Sequence, residues 1–507
     1  MKCSVLLFFF FVYLTTEAQK ANWQNLDLAT DRVFGISTEK AYTELDLHAK
    51  KPVLVAVIDN GTDTSHEDLK AILWNNKKER TVNGRDDDHN GYTDDEYGWN
   101  FIGSARGNVQ FDNLELTRVI RDLQRSGDTL GVYQTLVKTY KQELDNAKRN
   151  LDGIEGFQNA MQSILTAVHN PNPGVADLQS YKPANNNEAW VKNVLLDQLQ
   201  QGTDLSKFEK DEIEEGIKHY REVVDYSLNL DFDPRGIVGD DYQNSNQRIY
   251  GNADVTGPAA LHGTHVAGII GALRDNGIGI KGVADQVRIM VLRAVPNGDE
   301  RDKDIANAIR YAADNGARVI NMSFGKGYSH DKGAVDAAVK YAMEKDVLLV
   351  AAAGNEGKDL DHENSFPNPV YEDGSGRAAG WITVGASGWV DDSTLVPAFS
   401  NYGKDRVDVF APGVQIYSTV PGSEYQYESG TSMAAPVVTG LAALIRANYP
   451  KLTAKQVKSI IMESVVKVEH PVIIRQNNQS KKVPFTDLCV SGGIVNAYNA
   501  LKLAAMY

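Results

Sequence analysis

Six apolar residues in a row, Val53 to Ile58, run into the polar pair Asp59-Asn60 and then Gly61. A short unbroken apolar run reads as a strand buried on both faces, the kind a parallel sheet uses. Beyond residue 262 such runs alternate with amphipathic stretches. Residues 287–292, 317–323, 347–353, 381–386 and 407–411 read as strands. Residues 302–315 and 332–345 read as helices between them, followed by helices at 431–448 and 453–466 and a last one opening near 492–498. This alternation predicts an α/β fold, a mostly parallel sheet with helices on both faces.

The stretch from about 105 to 245 breaks the alternation. Leu136, Tyr140, Leu144, Ala147 and Leu151 recur at helical spacing, as do Leu195, Leu196 and Leu199, and then Ile213, Ile217 and Tyr220. Asp112 to Glu115 resembles a capping-box start. Residues 170–174 and 183–187 are loop punctuation rich in Asn and Pro. The pattern predicts a helical insertion over 105–245 within a domain spanning 51–507. Gating a cleft, recruiting substrates and bracing the fold are all open to such an insertion. Residues 19–50 form a short N-terminal arm, with a partial helix over 31–47. Residues 1–18 have the plan of a secretory signal: a lysine, an apolar run too short to span a bilayer, and a cleavage site offered by Thr16-Glu17-Ala18, with small residues at 16 and 18. A retained anchor is the alternative.

Composition narrows the partners. The chain has 507 residues and a net charge of −15, with a sequence pI near 5.2. That balance argues against nucleic acid and fits an exported protein or one that binds cations. No stable membrane span is expected, and a secreted or periplasmic location is. Of two cysteines, Cys3 lies in the signal segment. Only Cys489 would remain after cleavage, so no internal disulfide is expected.

Candidate chemistry sits at the ends of these elements. Gly430-Thr431-Ser432-Met433-Ala434-Ala435-Pro436 puts a serine where a Gly-led helix begins, among free backbone N–H groups. Read alone, Ser432 is an N-cap serine. A serine nucleophile needs a base and an oxyanion site. His262, at the first turn of the small-residue helix that runs to Gly268, offers the base. His265, one turn on, reads as packing or hydrogen-bonded support. Metal binding by the two histidines lacks an i, i+4 spacing or a third ligand. Asp59, at the carboxyl end of the first strand, is placed to orient His262 or to cap a turn. Asn355, in Gly354-Asn355-Glu356-Gly357, follows another strand and is either an oxyanion donor or a turn asparagine.

In the order Asp59, His262, Asn355, Ser432, these blocks together with Val319 to Gly325 resemble the subtilisin-like serine peptidases, the subtilases. The resemblance covers about residues 50–100 and 250–507. It implies a serine endopeptidase acting on protein or peptide substrates. Ser432 would be the nucleophile, His262 the proton carrier, Asp59 its orienter, and Asn355 with the Ser432 N–H the oxyanion donors. It also implies that Ser323, Phe324 and Gly325 pair with the substrate backbone, with Ala352, Ala353 and Gly354 as the opposite wall of the main pocket. Asn60 departs from the Ser or Thr usual after the family's aspartate, which implies tuning of the site. The residue after His66 is Glu67 in place of the usual Pro, a loop change. Activity is expected to fall below about pH 6.5 as His262 protonates.

A second candidate site is residues 86–95. Asp86, Asp88, Asn90 and Asp94 place oxygens at positions 1, 3, 5 and 9 of a calcium-type loop. Gly91 stands at 6, and Tyr92 offers its carbonyl at 7. Tyr97 at position 12 lacks the bidentate carboxylate, so a structural Ca2+ is expected rather than a sensor. The alternative is a solvated acidic loop. Two other readings of the whole chain stay open: a calcium-bound binding protein on an inactive peptidase fold, and a processing enzyme held latent by the insertion.

Overall fold

The computed structural model describes residues 20–49, 51–79, 82–476 and 479–507. Residues 1–18, expected to be a secretory signal, lie outside the described residues. Two compact units are present, one from Phe111 to Asp233 and one made of the segments ending at Gln110 and starting at Pro234.

The larger unit is built on a nine-stranded sheet. In chain order its strands are β1 (Val53–Asp59), β2 (Gly98–Asn100), β3 (Val287–Arg293), β4 (Val319–Met322), β5 (Leu348–Ala352), β6 (Trp381–Ser387), β7 (Val409–Pro412), β8 (Val466–Lys467) and β9 (Gly493–Ile494). Their order across the sheet is β8-β9-β7-β6-β5-β4-β1-β3-β2. All pairs are parallel except β8 with β9. The chain leaves β1 on one side, to β2 and β3, and returns on the other, to β4 and onward. The direction of winding therefore reverses at β1, and α/β sheets open their ligand crevice at such a point, beyond the strands' carboxyl ends.

Alternate residues of β1 feed two cores. Val55 and Val57 pack on one face with Val266, Ile269 and Ile270 and with Val437, Val438 and Leu441. Ala56 and Ile58 face the other, with Ile305, Ile309, Val335 and Val339. The first face carries the helices Leu261–Gly271 and Thr431–Asn448, the second Asp302–Asp314 and Lys332–Glu344. Burial on both faces is why these strands are unbroken apolar runs. The mostly parallel α/β architecture expected from the pattern is the one observed.

The strands missing from that pattern are short or polar. β2, β8 and β9 have two or three residues each. The hairpins Ile416–Val420 with Glu424–Glu428, and Pro471–Gln476 with Gln479–Pro484, stand outside the large sheet and interleave apolar with polar side chains, with no long apolar run. The helix expected to reach residue 466 stops at Glu463, where Val466 and Lys467 pair with β9. In the arm, helix is confined to Leu28–Asp31, Thr38–Glu44 and a 3-10 turn at Trp23–Asn25. Trp23 is buried and donates Nε1 to the Val414 carbonyl at 3.2 Å. Cys489 is a buried free thiol. Among the described residues, no helix is long and apolar enough to cross a membrane.

The smaller unit is helical, with Glu115–Ser126, a long helix Val132–Ala167, Asn186–Gln200 and a broken run from Leu205 to Ser227 that includes two π-helical turns. Ile154, Phe157, Met161, Ile164, Leu178, Val191 and Leu195 are the centre of its own core. The first helix begins two residues later than a capping box at Asp112 implies. Leu114 is the N-cap, while the Asp112 carboxylate accepts from the Asn113 N–H at 2.7 Å and pairs with Arg118 at 3.4 Å. The entrance and exit of the unit are clasped. The Leu114 N–H and the Thr117 hydroxyl both donate to the Ser227 carbonyl, at 2.9 and 2.8 Å. Arg121 Nη1 reaches the Phe232 carbonyl at 2.7 Å.

Candidate active site

Register alone brings three strand ends level. Ile58 of β1 pairs with Met322 of β4, and Met322 with Ala351 of β5. The next residues, Asp59, Ser323 and Ala352, therefore lie side by side at the switch point, about 4.8 Å apart per strand.

Asp59 is buried, and its Oδ1 accepts from His262 Nδ1 at 2.7 Å and from the Asn60 N–H at 2.8 Å. A carboxylate only accepts, so Nδ1 carries a proton and Nε2 of the neutral ring is left as the acceptor. The His262 side chain is 34% exposed. Burial pulls its pKa down, but the Asp59 carboxylate, its hydrogen bond and the charge of Glu428 outweigh burial and hold it above the ordinary imidazole value. Asn60 ties this half together: its Oδ1 accepts from the Gly263 N–H at 3.0 Å, one of the orphan donors of the helix's first turn. Only glycine fits at 263, because a Cβ there would lie 2.1 Å from the Gly61 carbonyl oxygen. Arg293, buried beside β1, donates Nε to the Asn60 carbonyl at 3.0 Å.

His265 is not part of this pair. Its buried Nε2 lies 3.0 Å from the Ile416 carbonyl and 3.2 Å from that of Gln426, bridging both strands of one hairpin. Burial pushes its pKa down to about 4. A neutral donor tautomer between two carbonyls is a structural role.

The other half is the start of the helix Thr431–Asn448, which crosses the His262 helix closely. A Cβ at Gly440 would approach the Ile270 carbonyl to 3.1 Å. Ser432 is in its first turn, and its Oγ donates to the Ser323 carbonyl at 3.1 Å. Asn355 follows β5. Its Oδ1 accepts from both the Thr431 N–H and the Thr431 hydroxyl, at 2.8 and 2.9 Å. Two donors on one atom fix the amide and turn Nδ2 away from Thr431. Gly354, at φ 103°, takes a conformation that suits glycine, and its N–H donates to Thr431 Oγ1 at 3.0 Å.

The residues expected to hold substrate are placed as follows. Ser323 is buried, with its hydroxyl donating to the Ser432 carbonyl at 2.8 Å. Phe324 packs partly buried on the second core, and Gly325 lies near the Phe366 carbonyl. Ala352 is half-buried at the end of β5, whereas the Ala353 methyl joins a third buried cluster with Leu360, Tyr402 and Val407. The sequence reading passed over Thr431 and Asn401. The latter accepts from the N–H groups of Glu356 and Lys358 and donates to the Ala353 carbonyl at 2.9 Å, shaping the Asn355 turn. Both bonds join residues far apart in the chain, and no local pattern signals them.

In the acidic loop, Asp86 and Asp88 come together with Glu79, each offering an oxygen within 4.8 Å of the others. Glu79 precedes the loop and was not among the expected ligands. It is 9% exposed, its Oε2 has no hydrogen-bond partner, and burial with the nearby Asp95 and Asp88 charges raises its pKa. Asn90 and Tyr92 close the turn: the Asn90 N–H donates to Asp86 and Asp88, and Asn90 Oδ1 accepts from the Tyr92 N–H. Asp94 is turned elsewhere, accepting from the Asn83 and Gly84 N–H groups at 2.9 and 2.8 Å.

The model of the subtilase family, peptidase S8, matches residues 50–486. The chain is 44% identical over 223 residues to a thermophilic serine proteinase of Bacillus sp. strain AK1, covering 44% of this chain and 49% of that protein, about half its length. It is 37% identical over 243 residues to thermitase of Thermoactinomyces vulgaris, covering 48% of this chain and 75% of thermitase. A solved protease structure from Pseudoalteromonas arctica shares the fold over 96% of this chain and 98% of that one, at 19% identity and a TM-score of 0.51.

Proposed function

The chain belongs to the subtilase family, and on that premise we propose that it is an exported serine endopeptidase, secreted or periplasmic, that hydrolyses peptide bonds in proteins or peptides. The observation that carries the reading is the 2.7 Å Asp59–His262 bond at the same sheet end as Ser432 and Asn355. In this reading the Ser432 hydroxyl turns from the Ser323 carbonyl to His262 Nε2. Oγ attacks the substrate carbonyl carbon while Nε2 takes its proton. Asp59 holds the ring in the Nδ1–H tautomer and stabilises the imidazolium. The oxyanion takes hydrogen bonds from Asn355 Nδ2 and the Ser432 N–H. His262 returns the proton to the leaving amine as the C–N bond breaks. A water, deprotonated by the same nitrogen, then releases the acid and frees Ser432. The strand end 323–325 and the segment 352–354 form the walls for substrate backbone and side chain.

The acidic loop fits a structural calcium ion. The buried and unpartnered Glu79 Oε2 beside two aspartates is a hard anionic donor set that a divalent cation would neutralise. Glu79, Asp86 and Asp88 would hold it, with Asn90 and Tyr92 shaping the loop. The ion would supply cohesion, not chemistry. Residues 111–233 are proposed as an insertion into the peptidase domain.

The test is labelling with a fluorophosphonate probe followed by mass spectrometry, on the signal-free protein and on Ser432→Ala. The expected result is a single adduct at Ser432 that the variant lacks. Ser432→Ala should lose turnover on the order of 10⁶-fold, the scale known for subtilisin itself. Near wild-type turnover in that variant would overturn the reading.

A further inference from the structure

Pro436 stands inside the helix that begins at Thr431, four residues after Ser432. The residue at i+4 normally donates its N–H to the carbonyl of residue i, and proline has none to give. The Ser432 carbonyl is thus left without its helical donor, at the one residue whose position the proposed chemistry depends on most. The Ser323 hydroxyl fills the gap, donating to that carbonyl at 2.8 Å.

The direction of that bond is set by the Ser432 carbonyl, which only accepts, and the partners behind Ser323 are consistent with it. Thr439, seven residues along the same helix, donates Oγ1 to Asn321 Oδ1 at 2.9 Å. The Asn321 Nδ2 donates in turn to Ser323 Oγ at 2.9 Å. Ser323 Oγ, accepting from Asn321, has a single proton, and it goes to Ser432. Asn321 and Thr439 are fully buried and Ser323 nearly so, so water does not substitute for any member. The bonds form a bracket that leaves the helix at Thr439, crosses β4, and returns to the helix at Ser432.

We propose that Ser323 is a positioning residue: its side chain replaces the hydrogen bond that Pro436 removes, and so fixes the Ser432 backbone against the strand end that receives the substrate. The inference rests on Ser432 being the nucleophile. One residue then serves both partners of the reaction, its main chain aligning the substrate and its hydroxyl aligning the attacking group. A misplacement of about 1 Å at this point is enough to cost on the order of a hundredfold in rate.

The test is a double-mutant cycle on the full chain, with steady-state kinetics on a peptide anilide and the rate of fluorophosphonate labelling at Ser432. Ser323→Ala should lower kcat by roughly ten- to a hundredfold with KM within about twofold. In a Pro436→Ala background the residue at 436 regains an N–H, and the further loss from Ser323→Ala should shrink to under about threefold. Equal losses in both backgrounds, or a loss confined to KM, would overturn the proposal. Should Ser323→Ala fail to fold, Thr439→Val should slow labelling and Thr439→Ser should restore it; equal labelling rates in the two would also overturn it. A wild-type protein that does not label at Ser432 defeats instead the reading on which the bracket rests, and the proposal with it.

Discussion

His262 is partly exposed and yet governed mainly by Asp59. Burial alone would favour its neutral form, but Asp59 at 2.7 Å overrides burial and holds the pKa above the ordinary value of about 6.5. A base works only when neutral, so kcat/KM should decline as pH falls through a midpoint above 6.5. Asp59→Asn removes the charge that raises it. That variant should shift the acid limb downward and cost about 10⁴ in kcat. An unmoved limb would mean that another group titrates. For Asn355, whose amide is set by two bonds from Thr431, Asn355→Ala should lower kcat roughly 10²- to 10³-fold with little change in KM, measured on the same substrate. A loss below about threefold would remove it from the oxyanion site. The four residues nominated for catalysis were readable because each borders strong backbone punctuation: the end of an apolar run for Asp59, a Gly-rich turn or a small-residue helix start for the others. Thr431, Asn321 and Glu79 were not. Each acts through a side-chain bond or a through-space neighbour, and such pairings leave no periodic trace in the sequence.

At the scale of elements, burial on both faces made the long strands legible, and the polar hairpins escaped for the converse reason. The Ile416–Glu428 hairpin is held by a histidine as well as by the buried side chains of Ile416 and Val420. His265 joins its two strands from the helix below, and Ser418 Oγ donates to the His265 carbonyl at 2.8 Å. With a folded pKa near 4 against about 6.5 in the unfolded chain, the unfolded state binds the extra proton between those values. The stability that depends on neutral His265 is therefore complete above about pH 6.5 and is lost as pH falls toward 4. Urea midpoints across that window should fall, and His265→Gln should flatten the slope. An equally steep slope in the variant would assign the effect to other groups. The bounds of the helices shifted by a few residues for local reasons. The first helix of the smaller unit is an example: it opens at Glu115 behind Leu114, two residues later than a cap at Asp112 implies.

For the molecule as a whole, calcium and the helical unit carry the remaining expectations. Calcium at a hundredfold excess over Kd should stabilise the protein by about 2.7 kcal/mol, seen as a rise in Tm. Glu79→Gln should abolish most of that rise, and a Tm indifferent to millimolar calcium would exclude the ion. The sequence pattern set the insertion at 105–245, while the compact unit runs from Phe111 to Asp233. Residues just beyond it serve the sheet: Arg235 pairs with Asp240 and Asp304, and Lys303 with Asp240, all buried. Helical periodicity does not distinguish such a return segment from the unit it leaves. Excising residues 115–226 with a short Gly-Ser bridge should leave Tm and small-peptide turnover nearly unchanged; loss of folding would show that the unit is an integral part of the core. The clasp between Leu114, Thr117 and Ser227 is the reason to expect so little change. Loop-closure entropy grows only with the logarithm of length, about 0.6 kcal/mol per doubling. Because the unit joins its own ends, the peptidase sheet closes a loop of about ten residues where it would otherwise close more than a hundred, a difference of about 2 kcal/mol. The unit is in that sense thermodynamically insulated, and this position in the fold is open to replacement by modules of quite different size.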